Sequence, residues 1–312
     1  MKKNLLITAI ILSFGLFSPL FAVEKEDFAA AVNYYKLGEY KKVIKTINKI
    51  QNKGQMDARL ALLKYEAYKG LNKYREAKDA LNLAIRFDPS CYEAYIALAI
   101  LSIEDSNPAE AKNYFRHALE IYPNLSNSAG ILYYYSKLCI LNKDFDGALQ
   151  NILSAIEING DEELYYLELG KIYLYKKDYL RAINALEYIN SEDIKIKSEV
   201  FNYLGMAYYK RGNLKISLEY FKKAINLEPN NVIYLSNLAM NYRSLGNLDE
   251  YNSITNKISF ITPKTAVEYL QVSQILYSKN NIIGAKSILQ KGMEIYPNNL
   301  LLKEAFSKLN KS

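Results

Sequence analysis

The sequence predicts an all-α solenoid of eight helix-turn-helix repeats, each about 34 residues long, followed by one C-terminal capping helix. The first observation is that helix-stopping prolines recur 34 positions apart at Pro89 and Pro123, and again at Pro229, Pro263 and Pro297. The second is a row of small or aliphatic residues, expected on the packed face of each second helix, which recurs with the same period. These residues are Ile50, Ala84, Ala118, Ala155, Ile189, Ala224, Ile258 and Gly292. Both the prolines and these residues place small insertions at 126–128 and near Lys197. A regular period of this length indicates stacked hairpins.

The clearest repeat covers 198–231, where two amphipathic helices flank a polar turn at 211–213. Phe201, Leu204 and Tyr208 recur at helical spacing in the first helix, and Gly205 leaves room for another helix to come close. Pro229 cannot continue the second helix and ends the unit. One such hairpin cannot bury both of its faces alone, so it needs copies of itself on either side.

With Phe201, Leu204, Gly205, Tyr208, Ser217, Phe221 and Pro229 in register, this unit resembles the tetratricopeptide repeat. The family prefers tryptophan at the first of these positions and alanine where Ser217 stands. Neighbouring copies keep the pattern, for example Tyr166, Leu169, Gly170 and Tyr173. The repeats are placed at 24–57, 58–91, 92–125, 129–162, 163–196, 198–231, 232–265 and 266–299. The resemblance implies a right-handed α-solenoid over 23–299 whose first helices line a concave groove.

The N-terminal residues 1–22 have the layout of a secretory signal peptide, with Lys2 and Lys3 before an apolar run. Cleavage after Ala22 would leave Val23 at the start of the first repeat, which predicts an exported protein of the periplasm or cell envelope. Leu20 stands where a small residue is preferred, so an uncleaved anchor in the inner membrane is the alternative. No membrane span is expected after this segment.

The capping helix is expected over 300–312, where Leu301, Leu302, Ala305, Phe306 and Leu309 share one side. Such a helix covers the apolar face that the last repeat would otherwise leave bare. The first repeat is the least typical and is expected to cap the other end.

The charge distribution and the absence of catalytic motifs limit the classes of function that the sequence supports. The formal net charge is +7, with an acidic middle and basic ends. This interrupts the continuous basic track that nucleic-acid binding needs, and solvated helix faces explain the charges equally well. His117 is the single histidine, and no CxxC, HExxH, P-loop or GxSxG pattern occurs. No catalytic residue, metal ligand or cofactor is therefore expected, and the chain is predicted not to be an enzyme.

The two cysteines are not expected to form a disulfide, because a whole hairpin separates them. Cys139 is predicted to be a small buried hydrophobe, whereas Cys91 is expected in a loop, without a specific role.

The sites predicted from the resemblance are groove positions on the first helices, on the side that points away from each second helix. They are Ile96, Ile100, Ile103, Tyr133, Lys137, Ile140, Leu167, Lys171, Leu174, Asn202, Met206, Tyr209, Met240, Arg243 and Tyr277, with Ser236, Leu270 and Gln274 at the same register. Exposed apolar side chains in a groove favour a partner segment that covers them. The other interpretations are that these side chains pack on each other, or that the register is shifted by one.

The predicted function is a non-catalytic protein-interaction scaffold or adaptor that binds a helix or extended segment of another protein. Members of the family that grip C-terminal carboxylates use lysine and asparagine at paired groove positions, where this chain has Ile96, Tyr133 and Leu167. That binding mode is therefore not expected. The alternatives are self-association through the terminal repeats, or a regulatory subunit of an envelope enzyme.

Overall fold

A computed structural model describes residues 25–311, which form seventeen α-helices, one short 3-10 helix and no strand. The predicted all-α class is confirmed. The predicted signal peptide at 1–22 lies outside the described residues. The helices are α1 (Lys25–Lys36), α2 (Tyr40–Asn52), α3 (Ala58–Gly70), α4 (Tyr74–Phe87), α5 (Tyr92–Glu104), α6 (Pro108–Ile121), the 3-10 helix (Pro123–Asn127), α7 (Ala129–Leu141), α8 (Phe145–Ile158), α9 (Glu163–Tyr175), α10 (Tyr179–Glu187), α11 (Ile194–Lys210), α12 (Leu214–Leu227), α13 (Val232–Ser244), α14 (Leu248–Ser259), α15 (Ala266–Ser278), α16 (Ile282–Ile295) and α17 (Leu300–Lys311).

Consecutive helices pack as hairpins, from α1 with α2 to α15 with α16, and the described helices divide into two compact units. Apart from residues 105–107, the first unit holds α1 to α6 and the second holds α7 to α17. Seven of the eight residues predicted on the packed face of the second helices are buried. Ile189 is only half-buried, because α10 ends at Glu187 and leaves it in the following loop.

The turn inside every hairpin contains one residue with a positive φ, and these residues repeat with the spacing of the helix markers. They are Gly38, Asn72, Ser106, Lys143, Lys177, Gly212, Gly246 and Asn280. At Gly212 the left-handed conformation lets the next amide, of Asn213, donate to the carbonyl of Tyr208 at 2.9 Å. This geometry closes the C-terminal end of a helix and turns the chain sharply. The same turn in every hairpin sets the register of the array.

One helix starts earlier than the repeat pattern predicts. The repeat was expected to begin at Ser198, but α11 begins at Ile194. The carboxylate of Asp193 accepts hydrogen bonds from the amides of Lys195 and Ile196 and so caps the helix four residues upstream. An N-cap of this kind stabilises the first turn. The longer helix absorbs the small insertion predicted near Lys197.

Two glycines bring helices close together in the second unit. A Cβ on Gly205 would lie 2.6 Å from Cδ1 of Phe221, and a Cβ on Gly170 would lie 2.6 Å from Cγ of Leu186. Phe221 and Leu186 are both buried. The close approach predicted for Gly205 is therefore present, and each glycine accommodates the large side chain of its own second helix.

The end of the second unit is closed by α17. Leu302 is fully buried, and Phe306 and Leu309 pack with it on Tyr269 and Leu289. Leu301, predicted on the packed side, is exposed instead. The reason is the helical repeat, which places the side chains of neighbouring residues about 100° apart, so Leu301 and Leu302 cannot share one face.

A buried polar seam joins α11, α12 and α13. The Ser217 hydroxyl donates to the carbonyl of Gly205 at 2.8 Å and accepts from the Asn241 amide nitrogen at 2.7 Å. Asn241 also donates to the carbonyl of Leu214. Its Oδ1 has no hydrogen-bond partner among the described residues. The serine found where the family prefers alanine is thus matched by an asparagine on the next hairpin.

Replacing Ser217 by alanine should lower the free energy of unfolding by about 1–2 kcal/mol, because it leaves a buried amide group of Asn241 unsatisfied. The double variant Ser217→Ala/Asn241→Leu should be closer to the wild type than Ser217→Ala alone, since both polar partners are then absent and leucine keeps the volume of the asparagine. Urea denaturation of both variants checks this. A double variant less stable than Ser217→Ala would show that the seam contributes little through its hydrogen bonds.

Candidate functional site

The predicted groove residues all lie on first helices, but their exposure differs sharply along the chain. In the first unit Ile96, Ile100 and Ile103 are buried, so the expectation that they face solvent is wrong. The reason is the composition of α5, which is apolar on nearly every side, with Glu93, Ser102 and Glu104 as its polar residues apart from the tyrosines. Every residue of the helix is buried except half-buried Tyr92 and Tyr95 and exposed Glu104. A helix that is apolar all round is a core helix.

In the second unit exposure increases toward the C-terminal end. Leu167, Asn202 and Ser236 are buried, while Met240, Arg243, Gln274 and Tyr277 are exposed. Met240 is 51% exposed and Tyr277 is 46% exposed. The other predicted positions are half-buried, namely Tyr133, Lys137, Ile140, Lys171, Leu174, Met206, Tyr209 and Leu270. The accessible apolar part of the predicted groove therefore lies on α13 and α15.

The middle of the second unit contains an ion pair that sequence reasoning found only in part. Lys171 Nζ lies 3.2 Å from Glu168 Oε2, and the two side chains are 20% and 4% exposed. Their i,i+3 spacing puts both on one face of α9. The ammonium group also lies 5.3 Å from the ring centre of Tyr203 on α11. Glu168 was missed because nothing in its immediate sequence distinguishes it from a solvated glutamate.

Electrostatics around this pair favour the charged amine. Burial lowers the pKa of Lys171, but the negative potential around the ammonium group, chiefly from the carboxylate of Glu168, outweighs it, and the pKa lies well above its usual value. Burial also raises the pKa of Tyr203, so this phenol stays neutral at physiological pH. A second lysine of the predicted groove, Lys137, lies 5.3 Å from the ring centre of Tyr133. In this part of the predicted groove, lysine side chains therefore lie against tyrosine rings of the same chain.

Hydrogen bonds between neighbouring first helices fix the next part of the surface. The Asn237 amide donates to Asn202 Oδ1 at 2.8 Å, and the hydroxyls of Tyr209 and Ser244 lie 2.8 Å apart. Both contacts join α11 to α13. The partners lie one repeat apart in the sequence, so the repeat register could have paired them, although their side-chain directions could not be read from it. Polar atoms of Asn202 and Tyr209 are therefore engaged within the chain.

Arg243 lies at the more exposed end of this surface. Its guanidinium group lies 5.7 Å from the ring centre of Tyr251, a contact typical of a cation–π interaction. Met240 lies about one turn before Arg243 on α13, and Tyr277 lies on α15, two helices further along the chain. Together these side chains offer apolar contact with a polar margin, and they supply no nucleophile or general base.

The remaining candidate residues lie elsewhere. His117 is exposed on α6, with Nδ1 3.3 Å from Glu120. Both cysteines are free thiols. Cys91 lies in the loop before α5, as expected, and is buried, whereas Cys139, predicted to be buried, is only half-buried. Among residues 25–311 no group of three or more His, Cys, Asp or Glu side chains is placed to hold a metal ion. Over the same range, no helix is both long and apolar enough to span a bilayer.

Comparison with known proteins gives a consistent family. Two tetratricopeptide-repeat family models match residues 62–126 and 198–231. The Small glutamine-rich tetratricopeptide repeat-containing protein 2 of Mycosarcoma maydis is 32% identical over 91 residues, which are 29% of this chain and 26% of that protein. The Hsp70-Hsp90 organising protein of Plasmodium falciparum is 23% identical over 150 residues, which are 46% of this chain and 25% of that protein. This chain thus spans about a quarter of the length of these relatives.

Among solved structures, a tetratricopeptide repeat protein from Parabacteroides merdae superposes with a TM-score of 0.54 at 18% identity, covering 82% of this chain and 99% of that one. At this identity the likeness concerns the fold. It agrees with the stacked hairpins described above.

Proposed function

The chain is a tetratricopeptide-repeat protein, and we propose that it is a non-catalytic scaffold or adaptor that binds a segment of another protein along α13 and α15. The observation that carries the proposal is the exposure of Met240 and Tyr277 at predicted groove positions of two successive first helices, on which Val267 is the one further exposed large apolar side chain. Apolar side chains that remain exposed at such positions favour a partner that removes them from water.

The relatives support the general role. Repeats of this family generally bind other proteins, and one relative is named for organising Hsp70 and Hsp90. The partner of this chain is expected to differ from a C-terminal carboxylate peptide, because Tyr133 and Leu167 replace the polar residues that such recognition uses. An amphipathic helix or an extended apolar segment suits the accessible surface better.

The N-terminal layout supports a place in the bacterial cell envelope, either as an exported protein that starts at Val23 or as one anchored by residues 1–22. N-terminal sequencing of the protein from its native cells distinguishes the two forms. A protein that keeps Met1 and fractionates with the cytosol would contradict both.

Photo-reactive residues at positions 240 and 277 should capture the same partner from native cells. In an affinity pull-down of that partner with the tagged full chain, the variant Met240→Asp/Tyr277→Asp should bind at least tenfold more weakly, a loss of about 1.4 kcal/mol or more, because two exposed apolar contacts become charged. A matched control is Leu248→Asp/Ile295→Asp, which charges exposed apolar residues on the second helices α14 and α16. The control should capture normally, and circular dichroism should be unchanged in both.

Equal loss in the control would contradict binding at α13 and α15. Capture of a second copy of the chain would instead favour self-association, for which the exposed Leu300 and Leu301 on the terminal helix are the accessible candidates. In that case Leu300→Glu/Leu301→Glu should convert an oligomer into a monomer in sedimentation. A wild type that is already monomeric would remove this alternative.

A further inference from the structure

Five exposed basic side chains lie at the turns of two successive hairpins in the second unit. Lys177 and Arg181 belong to the turn between α9 and α10, and Lys210, Arg211 and Lys215 to the turn between α11 and α12. These hairpins pack directly on each other, and helices in contact lie about 8–10 Å apart. The five side chains, called here the basic edge, are therefore neighbours along one side of the unit.

Little negative charge compensates the basic edge. Asp178 is the acidic residue of these two turns. Its Oδ1 accepts from the Arg181 amide at 3.1 Å as the N-cap of α10, and its Oδ2 lies 3.5 Å from the Arg181 guanidinium group. This single carboxylate offsets one of the five cations. Asp146 from the preceding hairpin pairs with Lys176, which lies outside the set. The charge is not a property of every turn in the array, since Glu104 and Asp105 occupy the corresponding place in the third repeat.

Local helix energetics explain only part of the basic edge. Lys210 and Arg211 lie at the C-terminal end of α11, where the helix dipole favours cations, but the positions in α10 and α12 have no such benefit from the dipole. Arg181 and Lys215 lie in the first turns of α10 and α12, where the helix dipole favours acidic residues. Other second helices follow that preference, for example α14 with Asp249 and Glu250. Lys177 has a φ of 61°, at the turn position where the next repeat has Gly212. Residues that break local rules without local benefit are typical of functional surfaces.

Exposed aliphatic side chains are interleaved with these charges. Leu180 is 58% exposed and Ile216 is 41% exposed, and each lies next to a basic residue in the first turn of its helix. Aliphatic groups gain nothing against a nucleic-acid backbone, but they are stabilised at the boundary between lipid headgroups and acyl chains. Clustered lysine and arginine bind anionic headgroups, each contributing about as much as a fivefold change in affinity.

We propose that the basic edge binds the surface of an anionic lipid membrane, with its cations on the headgroups and with Leu180 and Ile216 in the interfacial layer. The interaction is peripheral and uses no membrane-spanning segment. It is independent of the segment-binding surface on α13 and α15. A scaffold attached in this way would hold its partner next to a bilayer.

Because the chain contains no tryptophan, a single introduced indole reports on one place only. In the full chain, Ile216→Trp should shift its emission to the blue with vesicles of phosphatidylglycerol and phosphatidylcholine. It should not shift with phosphatidylcholine alone, and high salt should reverse the shift. The control Phe260→Trp replaces a side chain that is 88% exposed at the end of α14 and should not respond. No shift at position 216, or equal shifts at both positions, would overturn the proposal.

Charge reversal separates binding from folding. Arg181→Glu/Lys215→Glu should weaken vesicle binding at least about 25-fold, since two cations are lost and two anions gained. Its melting temperature should change little, because the benefit of acids at helix N-termini offsets the loss of the exposed ion pair between Arg181 and Asp178. The control Lys222→Glu/Lys223→Glu makes the same change in net charge on the exposed side of α12 and should bind normally. Equal loss in both variants would reduce the effect to net charge and overturn the proposal. Displacement of the wild type from vesicles by polyglutamate with no blue shift at Ile216→Trp would assign the surface to an acidic polypeptide instead.

Discussion

Replacing Gly205 by valine is expected to lower the free energy of unfolding of the second unit by about 3 kcal/mol. A Cβ at this position would lie 2.6 Å from Cδ1 of Phe221, and the two further methyl groups of valine need still more room. Phe221 is buried between α11 and the next hairpin and cannot swing into solvent. The strain must therefore separate the two helices or force the ring from its rotamer.

A double-mutant cycle tests whether that contact is the cause. Phe221→Ala alone should cost about 4 kcal/mol through the cavity it leaves. The pair Gly205→Val/Phe221→Ala should cost at least about 1 kcal/mol less than the sum, because the valine methyls then occupy part of the vacated space. Lys210→Val on the exposed end of the same helix is the control and should cost below about 0.7 kcal/mol. If the costs of the two single substitutions add up in the double variant, the destabilisation by Gly205→Val does not come from its contact with Phe221.

The stability of Gly205→Val should be measured for individual hairpins as well as for the whole chain. The stability of a repeat array depends on contacts between nearest neighbours, and a single melting temperature averages over hairpins that separate at different stabilities. Amide exchange in α11 and α12 should accelerate in Gly205→Val, while α15 to α17, which lie beyond the neighbouring hairpin, should change least. This pattern would tie the loss of stability to the substituted hairpin.

The close approach at Gly205 was predictable because it depends on the repeat register, which prolines and small residues specify over many copies. The turns were predictable for the same reason, although the sequence did not indicate that Lys143 and Lys177 would adopt a left-handed conformation that elsewhere uses glycine. Each repeat imposes the same backbone path. The packing of the neighbouring repeats therefore keeps a non-glycine residue in the left-handed conformation, which costs about 1–2 kcal/mol.

The exposure of the predicted groove was not predictable from register alone. Register states which side of a first helix a residue occupies, whereas exposure depends on what else in the folded chain lies against it. Ile100 and Met240 stand at equivalent positions in their repeats, yet the first is buried and the second is half exposed. The apolar composition of α5 was the available signal that its whole surface would be buried. The only sequence signal for the contact between Glu168 and Lys171 was their i,i+3 spacing, which is common in helices.

The largest electrostatic effect is expected from Lys171→Met, which should lower the free energy of unfolding by about 3 kcal/mol. Methionine conserves most of the volume of lysine but leaves the carboxylate of Glu168, whose side chain is 4% exposed, without its cation. The tyrosine rings around the pair offer no replacement charge. Most of the lost stability should therefore come from burying an uncompensated carboxylate, which costs far more than the loss of one surface ion pair.

Removing that carboxylate as well tests whether it is the cause. Removing both charges with Glu168→Met/Lys171→Met should restore at least about 1 kcal/mol of the loss, because no buried charge is then left without its partner. Urea denaturation of both variants measures this. A double variant no more stable than Lys171→Met would mean that the loss comes from packing against Tyr203, and the ion pair would then contribute little to the stability of the second unit.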